Sequence, residues 1–238
     1  MMFKFIFLRM LRDYIGHIAL ILFPIVLISI FAYIYQDVAE GRGHVVAFLT
    51  TGFVLMFHYF AAQYSVEFIY KDLGTPMKDR LLASPKNIAL FPLIAIALSS
   101  VIAFIQSLIV LLYATVILNA DFPSLIALLP IFFLAILIAQ LIAGIITLVT
   151  KSSAIGSGSA IGMGILFPFL AQFNSPLPDN IFLNFMRDFG TPVSLAMTSI
   201  NGVNSGDMQD ATIAIIVMIG LIGGLSLMVL TLTRRVIR

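Results

Sequence analysis

The residue types that usually carry out chemistry are few and scattered in this sequence. Cysteine is absent, which excludes disulfides and thiolate metal sites, and the three histidines, His17, His44 and His58, stand far apart. No histidine and carboxylate pair has the spacing of a metal site. The chain also lacks the G-x-x-x-x-G-K-S/T loop with which a P-loop ATPase holds phosphate. We therefore expect a protein that is not an enzyme and that holds no cofactor or metal itself.

His58 stands out because it lies in a long uncharged segment, close to Tyr59 and Gln63. An ionisable side chain within a membrane segment is a functional candidate by default. The alternative is a neutral imidazole that is hydrogen-bonded to a neighbouring helix. Together with Gln106 and Gln140, these three residues are candidates for lining a transport pathway. No acidic residue lies in the middle of an uncharged segment, which disfavours a proton-driven carrier.

The composition explains why such polar residues are conspicuous. The chain has 238 residues, of which 61% are hydrophobic and 10% charged, and its mean hydropathy is +1.11. Soluble domains carry about 25% charged residues, so most of this chain must have lipid as its solvent. No basic stripe is available for nucleic acid. The composition predicts an all-α membrane protein.

Charged residues divide the chain into uncharged blocks, each long enough for the roughly 20 residues of a spanning helix. A retained first span is favoured over a signal peptide, because its apolar run is long and no cleavage site follows. We predict one transmembrane domain over residues 1–238, with six spans at about 16–36, 45–66, 92–118, 124–149, 154–173 and 211–233.

The basic residues predict the orientation. With the N-terminus inside, eleven of the thirteen lysines and arginines fall on the inner side, and only Arg42 and Arg187 fall outside. We therefore predict a multi-pass protein of a bacterial or archaeal cytoplasmic membrane, with both termini in the cytoplasm.

Three segments lie outside the predicted spans. Residues 3–14 resemble an amphipathic helix on the inner surface, with a disordered basic tail as the alternative. Residues 67–88 form a cytoplasmic loop, and residues 174–210 form an external loop. In the external loop we predict a helix over 180–189 and a second helix with Thr191 as N-cap, ending near Asn201.

Glycines could suggest a nucleotide-binding loop, but no strand precedes them and no lysine lies among them. Spacings of small residues typical of close helix packing in lipid explain them better. The glycines concerned are Gly144, Gly156, Gly158, Gly162, Gly164, Gly220, Gly223 and Gly224.

The loop over 67–88 has the most informative pattern. Thr75 is a suitable N-cap with Pro76 after it, Leu81 and Leu82 give the following turns an apolar side, and Pro85 ends them. This pattern predicts a short helix along the inner surface, which could receive force from a soluble partner. The alternative is an ordinary interfacial loop.

This loop resembles the segment after the second span in permeases of the ABC transporter type-2 family. Those permeases have an acidic residue, Gly-Thr, leucines and Ser/Thr-Pro in that order. The architecture is similar over the whole chain, but the Ser-Gly and Pro motif after the fifth span is only partly kept in residues 174–178. The residues assigned to the coupling loop by this resemblance are Glu67, Gly74, Thr75, Arg80, Leu81, Leu82, Ser84 and Pro85.

The resemblance implies the membrane subunit of an ATP-driven exporter. A separate ABC ATPase would carry ATP and Mg²⁺, and a second copy or a paralogous permease would complete the pathway within the membrane lipids. The weakly charged spans favour an amphipathic drug, antimicrobial peptide or lipid-like substrate. The alternatives are a non-transport membrane scaffold or immunity protein, and a secondary carrier.

Overall fold

The computed structural model describes residues 2–36, 41–73, 88–172 and 188–237. Eight α-helices have their bounds within these residues. They are α1 (Met2–Leu11), α2 (Tyr14–Ile34), α3 (Arg42–Leu73), α4 (Phe91–Val116), α5 (Leu125–Thr150), α6 (Ser153–Gln172), α7 (Pro192–Ser205) and α8 (Met208–Ile237), with a 3-10 turn at Ile88–Leu90 before α4.

Six of these helices, α2 to α6 and α8, are long and apolar enough to cross a membrane. The predicted count of six is thus supported, and the helices fit a multi-pass membrane protein. Most observed bounds lie within a few residues of the predicted spans. The 3-10 turn at Ile88–Leu90 directly precedes α4, in which Pro92 lies in the first turn.

The clearest difference concerns α3. Its 32 residues continue to Leu73, beyond the predicted end at 66, so the first part of the predicted 67–88 loop is helical. At about 1.5 Å per residue α3 is about 48 Å long, whereas the hydrocarbon core is about 30 Å thick. The longer helix was not predicted because three charged residues, Glu67, Lys71 and Asp72, interrupt the apolar block. The apolar residues between them, Phe68, Ile69 and Leu73, nevertheless keep the helical period.

The centre of the bundle is formed by α3 and α5. Helix α3 packs against α2, α4, α5 and α6, and α5 packs against α3, α4, α6, α7 and α8. Helices α2, α6 and α8 are buried by the chain over only 17–22% of their most apolar windows. Their exposed faces are apolar, as expected for surfaces that contact lipid or another membrane protein.

The bundle has two ends, which we name after acidic residues. The Asp121 end holds the first residues of α3, the turn between α4 and α5, and α7. The Asp72 end holds α1, the last residues of α3, and the turn between α5 and α6. That second turn is short: Lys151 has φ +53° and ends α5, and the Ser152 hydroxyl accepts from Ile155 N at 3.3 Å to start α6.

Helix α7 has 14 residues, about 21 Å, which is too short to span. It begins as predicted, because the Thr191 hydroxyl accepts from Ser194 N at 2.9 Å and Pro192 follows. It ends at Ser205, with Gly206 at φ +82° as the left-handed cap, rather than near Asn201. Most of its length is buried against α5, α6 and α8. The predicted helix over 180–189 lies almost entirely outside the described residues.

The packing prediction for the glycines holds for three of them. Side chains of neighbouring helices lie against Gly144, Gly156 and Gly164 so closely that an added Cβ would contact Ile96, Thr147 and Tyr59, respectively. The other five have no atom of another described element within 4 Å of that position; they are Gly158, Gly162, Gly220, Gly223 and Gly224. Those glycines lie on open faces of α6 and α8.

Candidate functional site

The predicted coupling loop is only partly described. Glu67 is on α3, exposed, and forms an ion pair with Lys71 one turn further on. The remaining residues assigned to the loop lie outside the described residues; they are Gly74, Thr75, Arg80, Leu81, Leu82, Ser84 and Pro85. The structure therefore describes what the loop is attached to.

That attachment point contains an ion pair between α1 and α3. Arg9 Nη1 donates to Asp72 Oδ1 at 2.8 Å, and the Arg9 guanidinium lies 4.5 Å from the centre of the Phe68 ring. Asp72 is only 4% exposed. A carboxylate this deeply buried needs a charged partner, and stacking on an aromatic ring adds to the attraction. We call Arg9, Phe68 and Asp72 the Arg9–Asp72 clamp.

Apolar contacts support the clamp. Ile6 and Met10 of α1 are buried in one cluster with Ile69 and Leu73 of α3 and with Phe91 at the start of α4. Helix α1 is therefore held on the bundle by packing as well as by charge. Clamp and cluster together fix the last turns of α3 immediately before residue 74.

A cavity of about 250 Å³ opens at the same end of the bundle. It lies between the last turns of α3, the end of α5 and the end of α8, with Tyr70, Thr147 and Lys151 as its polar lining residues. The rest of its described lining is apolar. An apolar side chain with a polar group at its tip would suit this cavity.

His58, the first pathway candidate, is buried between helices. Ser107 Oγ donates to the Ala103 carbonyl at 2.9 Å, so it must accept at 3.0 Å from His58 Nε2. The ring of His58 also stands edge-on to Phe132, with centroids 6.0 Å apart. The bond to Ser107 links α3 to α4 and favours the alternative of a neutral imidazole bonded to a neighbouring helix.

Gln106 and Gln140 make similar links. Gln106 Nε2 donates to His17 Nδ1 at 2.8 Å, because His17 Nε2 donates to the Met10 carbonyl at 2.9 Å. Ser99 Oγ lies 3.0 Å from Gln140 Oε1 and 3.0 Å from the Ile96 carbonyl oxygen, so its single hydroxyl proton is shared between them, and the contact with Gln140 joins α4 to α5. The two glutamines thus connect α2, α4 and α5 within the bundle.

Three atoms of the pathway candidates have no hydrogen-bond partner among the described residues: His58 Nδ1, the Tyr59 hydroxyl and Gln140 Nε2. The cavity that His58 lines has about 10 Å³ of free space, enough for about one water molecule. Gln63 is half-buried on α3. Among the described residues, the space beside His58 is therefore too small for a transported substrate.

The sequence did not single out Arg9, Asp72 or Ser107. A sequence signal existed for Asp72, because the apolar period of α3 continues through Leu73 and places Asp72 on the helix. The pairing with Arg9 had no such signal, since 63 positions separate the two residues. Ser107 is one of several serines in apolar segments, and only the rotation of α4 brings it to His58.

Comparisons of the chain with known protein families, with curated proteins and with solved structures found no match.

Proposed function

We propose that this chain is the membrane subunit of an ATP-driven exporter, powered by a separate ABC ATPase that docks on residues 67–88. The proposal starts from the resemblance of Glu67, Gly74-Thr75, Leu81-Leu82 and Ser84-Pro85 to the coupling loop of type-2 permeases. An amphipathic drug, antimicrobial peptide or lipid-like molecule is the proposed substrate.

The observation that carries the proposal furthest is the attachment of that loop. Residue 74 follows directly on α3, which the Arg9–Asp72 clamp holds to α1. Helix α3 in turn packs against four of the other candidate spans. A displacement of the loop would therefore move a rigid helix at the centre of the bundle. The cavity beside Tyr70 and Lys151 would offer the docking partner a further contact with α3, α5 and α8.

A pathway needs more than one copy of this bundle. The polar pathway candidates His58, Gln106 and Gln140 bond to neighbouring helices of the same chain, and the cavity that His58 lines has room for about one water molecule. Gly158 and Gly162, four residues apart on an open face of α6, suit close contact with a helix of a second subunit. We propose that a second copy or a paralogue covers this face, with the pathway between the two subunits.

These links between helices of one chain also favour a second candidate from another class, a membrane scaffold or immunity protein that transports nothing. Such a protein would need polar links between its helices but no ATPase. The two candidates therefore differ in what they bind at the Asp72 end.

Purification of the chain in mild detergent distinguishes the exporter subunit from the scaffold. If the chain is an exporter subunit, a P-loop ATPase should copurify in stoichiometric amount, and its ATP hydrolysis should be suppressed by the phosphate analogue vanadate. Repeated recovery of the chain without any ATPase, from cells that express the neighbouring genes, would contradict it and favour the scaffold.

Substitution in the loop tests the docking position. Changing Leu81→Asp together with Leu82→Asp should reduce the recovered ATPase at least about tenfold, because placing two unpaired charges in an apolar contact is costly and about 1.4 kcal/mol corresponds to tenfold. The matched control is Ile117→Asp with Ile126→Asp, two exposed apolar residues at the Asp121 end. Equal ATPase recovery in both double variants would place the docking surface elsewhere.

A further inference from the structure

A cavity of about 430 Å³ opens at the Asp121 end of the bundle. It lies between the first turns of α3, the turn that joins α4 to α5, and α7. Its volume falls in the range of small-molecule sites, about 300–1,000 Å³. None of the pathway candidates and none of the coupling-loop residues lines it.

The cavity has an apolar floor and an aromatic edge. Ala47 of α3 and Met197 and Ile200 of α7 are buried and form the floor. Phe48 is 44% exposed at the edge, and Phe122 lines the side formed by the α4–α5 turn. A ligand with an apolar body would gain from covering these side chains.

The polar part of the lining carries negative charge. Asp121 Oδ2 lies 3.3 Å from His44 Nε2. The Asp121 side chain is 59% exposed. Asn201 and Asn204 of α7 line the opposite side and can accept or donate hydrogen bonds.

The wider charge distribution at this end has the same sign. Among the described residues, Asp188, Asp207 and Asp210 accompany Asp121 at the Asp121 end, whereas Arg42 is the arginine found there. Asp121 lines the cavity itself, and an excess of acids at the same end of the bundle attracts a cation and repels an anion. The negative charge at this end should therefore favour a cationic ligand over an anionic ligand with the same apolar body.

The position of Asp121 is fixed by backbone contacts. Asp121 N donates to the Gly43 carbonyl at 3.0 Å, and Ala120 N donates to the Ala114 carbonyl at 2.9 Å. A Cβ on Gly43 would lie 3.0 Å from Asp121 Cβ and 3.1 Å from the Asn119 carbonyl oxygen. The α4–α5 turn thus packs closely against Gly43 of α3, and this contact fixes the backbone of Asp121 beside the cavity.

We propose that this cavity binds an amphipathic organic cation. The ammonium group lies beside the Asp121 carboxylate and the faces of Phe48 and Phe122, and the apolar body lies on Ala47, Met197 and Ile200. The inference goes beyond the proposed export function, because the chain can bind such a ligand without any ATPase. Its failure and the failure of the transport proposal are therefore measured separately.

The test uses the full chain in nanodiscs of phosphatidylcholine, with fluorescence titration of ethidium as the probe and empty nanodiscs as the blank. We expect saturable binding that Asp121→Asn weakens about fivefold, on the order of 1 kcal/mol for one partly exposed charge. Asp210→Asn removes an acid at the same end that does not line the cavity, and it should leave the affinity within about twofold.

A steric variant tests the position independently of charge. Asn204→Trp fills the edge of the cavity and should weaken ethidium binding, whereas Thr212→Trp, exposed on α8 outside it, should not. The anionic dye anilinonaphthalene sulfonate should bind more weakly than ethidium. Absence of saturable ethidium binding, equal affinity in wild type and Asp121→Asn, or a preference for the anionic dye would each overturn the proposal.

Discussion

Several polar side chains in the interior of this protein join neighbouring helices. His58, Gln106 and Gln140 all belong to a candidate pathway set, and each makes a hydrogen bond to a side chain of another helix. In an apolar solvent an unpaired polar group costs several kcal/mol. These hydrogen bonds therefore fix the positions of helices α2, α3, α4 and α5 relative to one another. The Arg9–Asp72 clamp does the same at the edge of the bundle, where α1 meets α3.

A double-mutant cycle measures the clamp. Arg9→Ala should lower the free energy of unfolding by about 1–2 kcal/mol, less than for a fully buried pair because Arg9 is 41% exposed. Once Asp72→Ala has removed the buried carboxylate, Arg9→Ala should cost much less. The measurement is denaturation in mixed micelles, and strictly additive losses would show that the two residues do not interact.

At the scale of helices, the apolar composition and the capping residues of the sequence predict which segments are helical. The six candidate spans follow from uncharged length alone, and the start of α7 follows from the Thr191–Pro192 pair. The predicted end of α3 at residue 66 is wrong, because the charged residues that follow it do not interrupt the helical apolar period, which continues to Leu73. It could not predict which helix supplies the partner of His58 or Asp72, since that depends on how the helices rotate against each other.

Two glycines of α6 provide a matched pair for testing helix packing. In Gly156→Leu the new side chain meets Thr147 and Val66, and overpacking of this kind costs about 1–3 kcal/mol. Gly158→Leu has no described neighbour within 4 Å. Because both changes are on one helix, differences in helix propensity cancel.

Thermal unfolding of the detergent-solubilised monomer is the measurement for this pair. Gly156→Leu should lower the midpoint and Gly158→Leu should leave it nearly unchanged. If a second copy covers α6 as proposed, Gly158→Leu should instead reduce crosslinking between subunits. Similar midpoints for the two variants would mean that α6 does not pack on α3 and α5 as described.

For the whole molecule, orientation is the prediction with the widest consequences. With eleven basic residues inside against two outside, the Asp72 end should face the cytoplasm and the Asp121 end should face out. The coupling loop would then meet a cytoplasmic ATPase, and the cation-binding cavity would open to the exterior. The docking proposal needs this arrangement, whereas binding of a cation in the cavity does not depend on it.

The absence of cysteine makes orientation easy to measure. Single cysteines at Ser124 and Ser205, exposed at the Asp121 end, should react with an impermeant maleimide in intact cells. Cysteines at Thr150 and Ser152, at the Asp72 end, should react only after permeabilisation. The reverse pattern would invert the topology and separate the loop from any cytoplasmic partner.

The short connection between α5 and α6 has a consequence for how the protein is made. Helix α5 ends at Thr150 and α6 begins at Ser153. The chain therefore reverses direction within two residues, Lys151 and Ser152, and the two helices cannot move far apart. Neither helix can leave the translocon and move through the bilayer far ahead of the other. We expect the two to enter the membrane together as a preformed helical hairpin, with Lys151 kept at the cytoplasmic surface during synthesis.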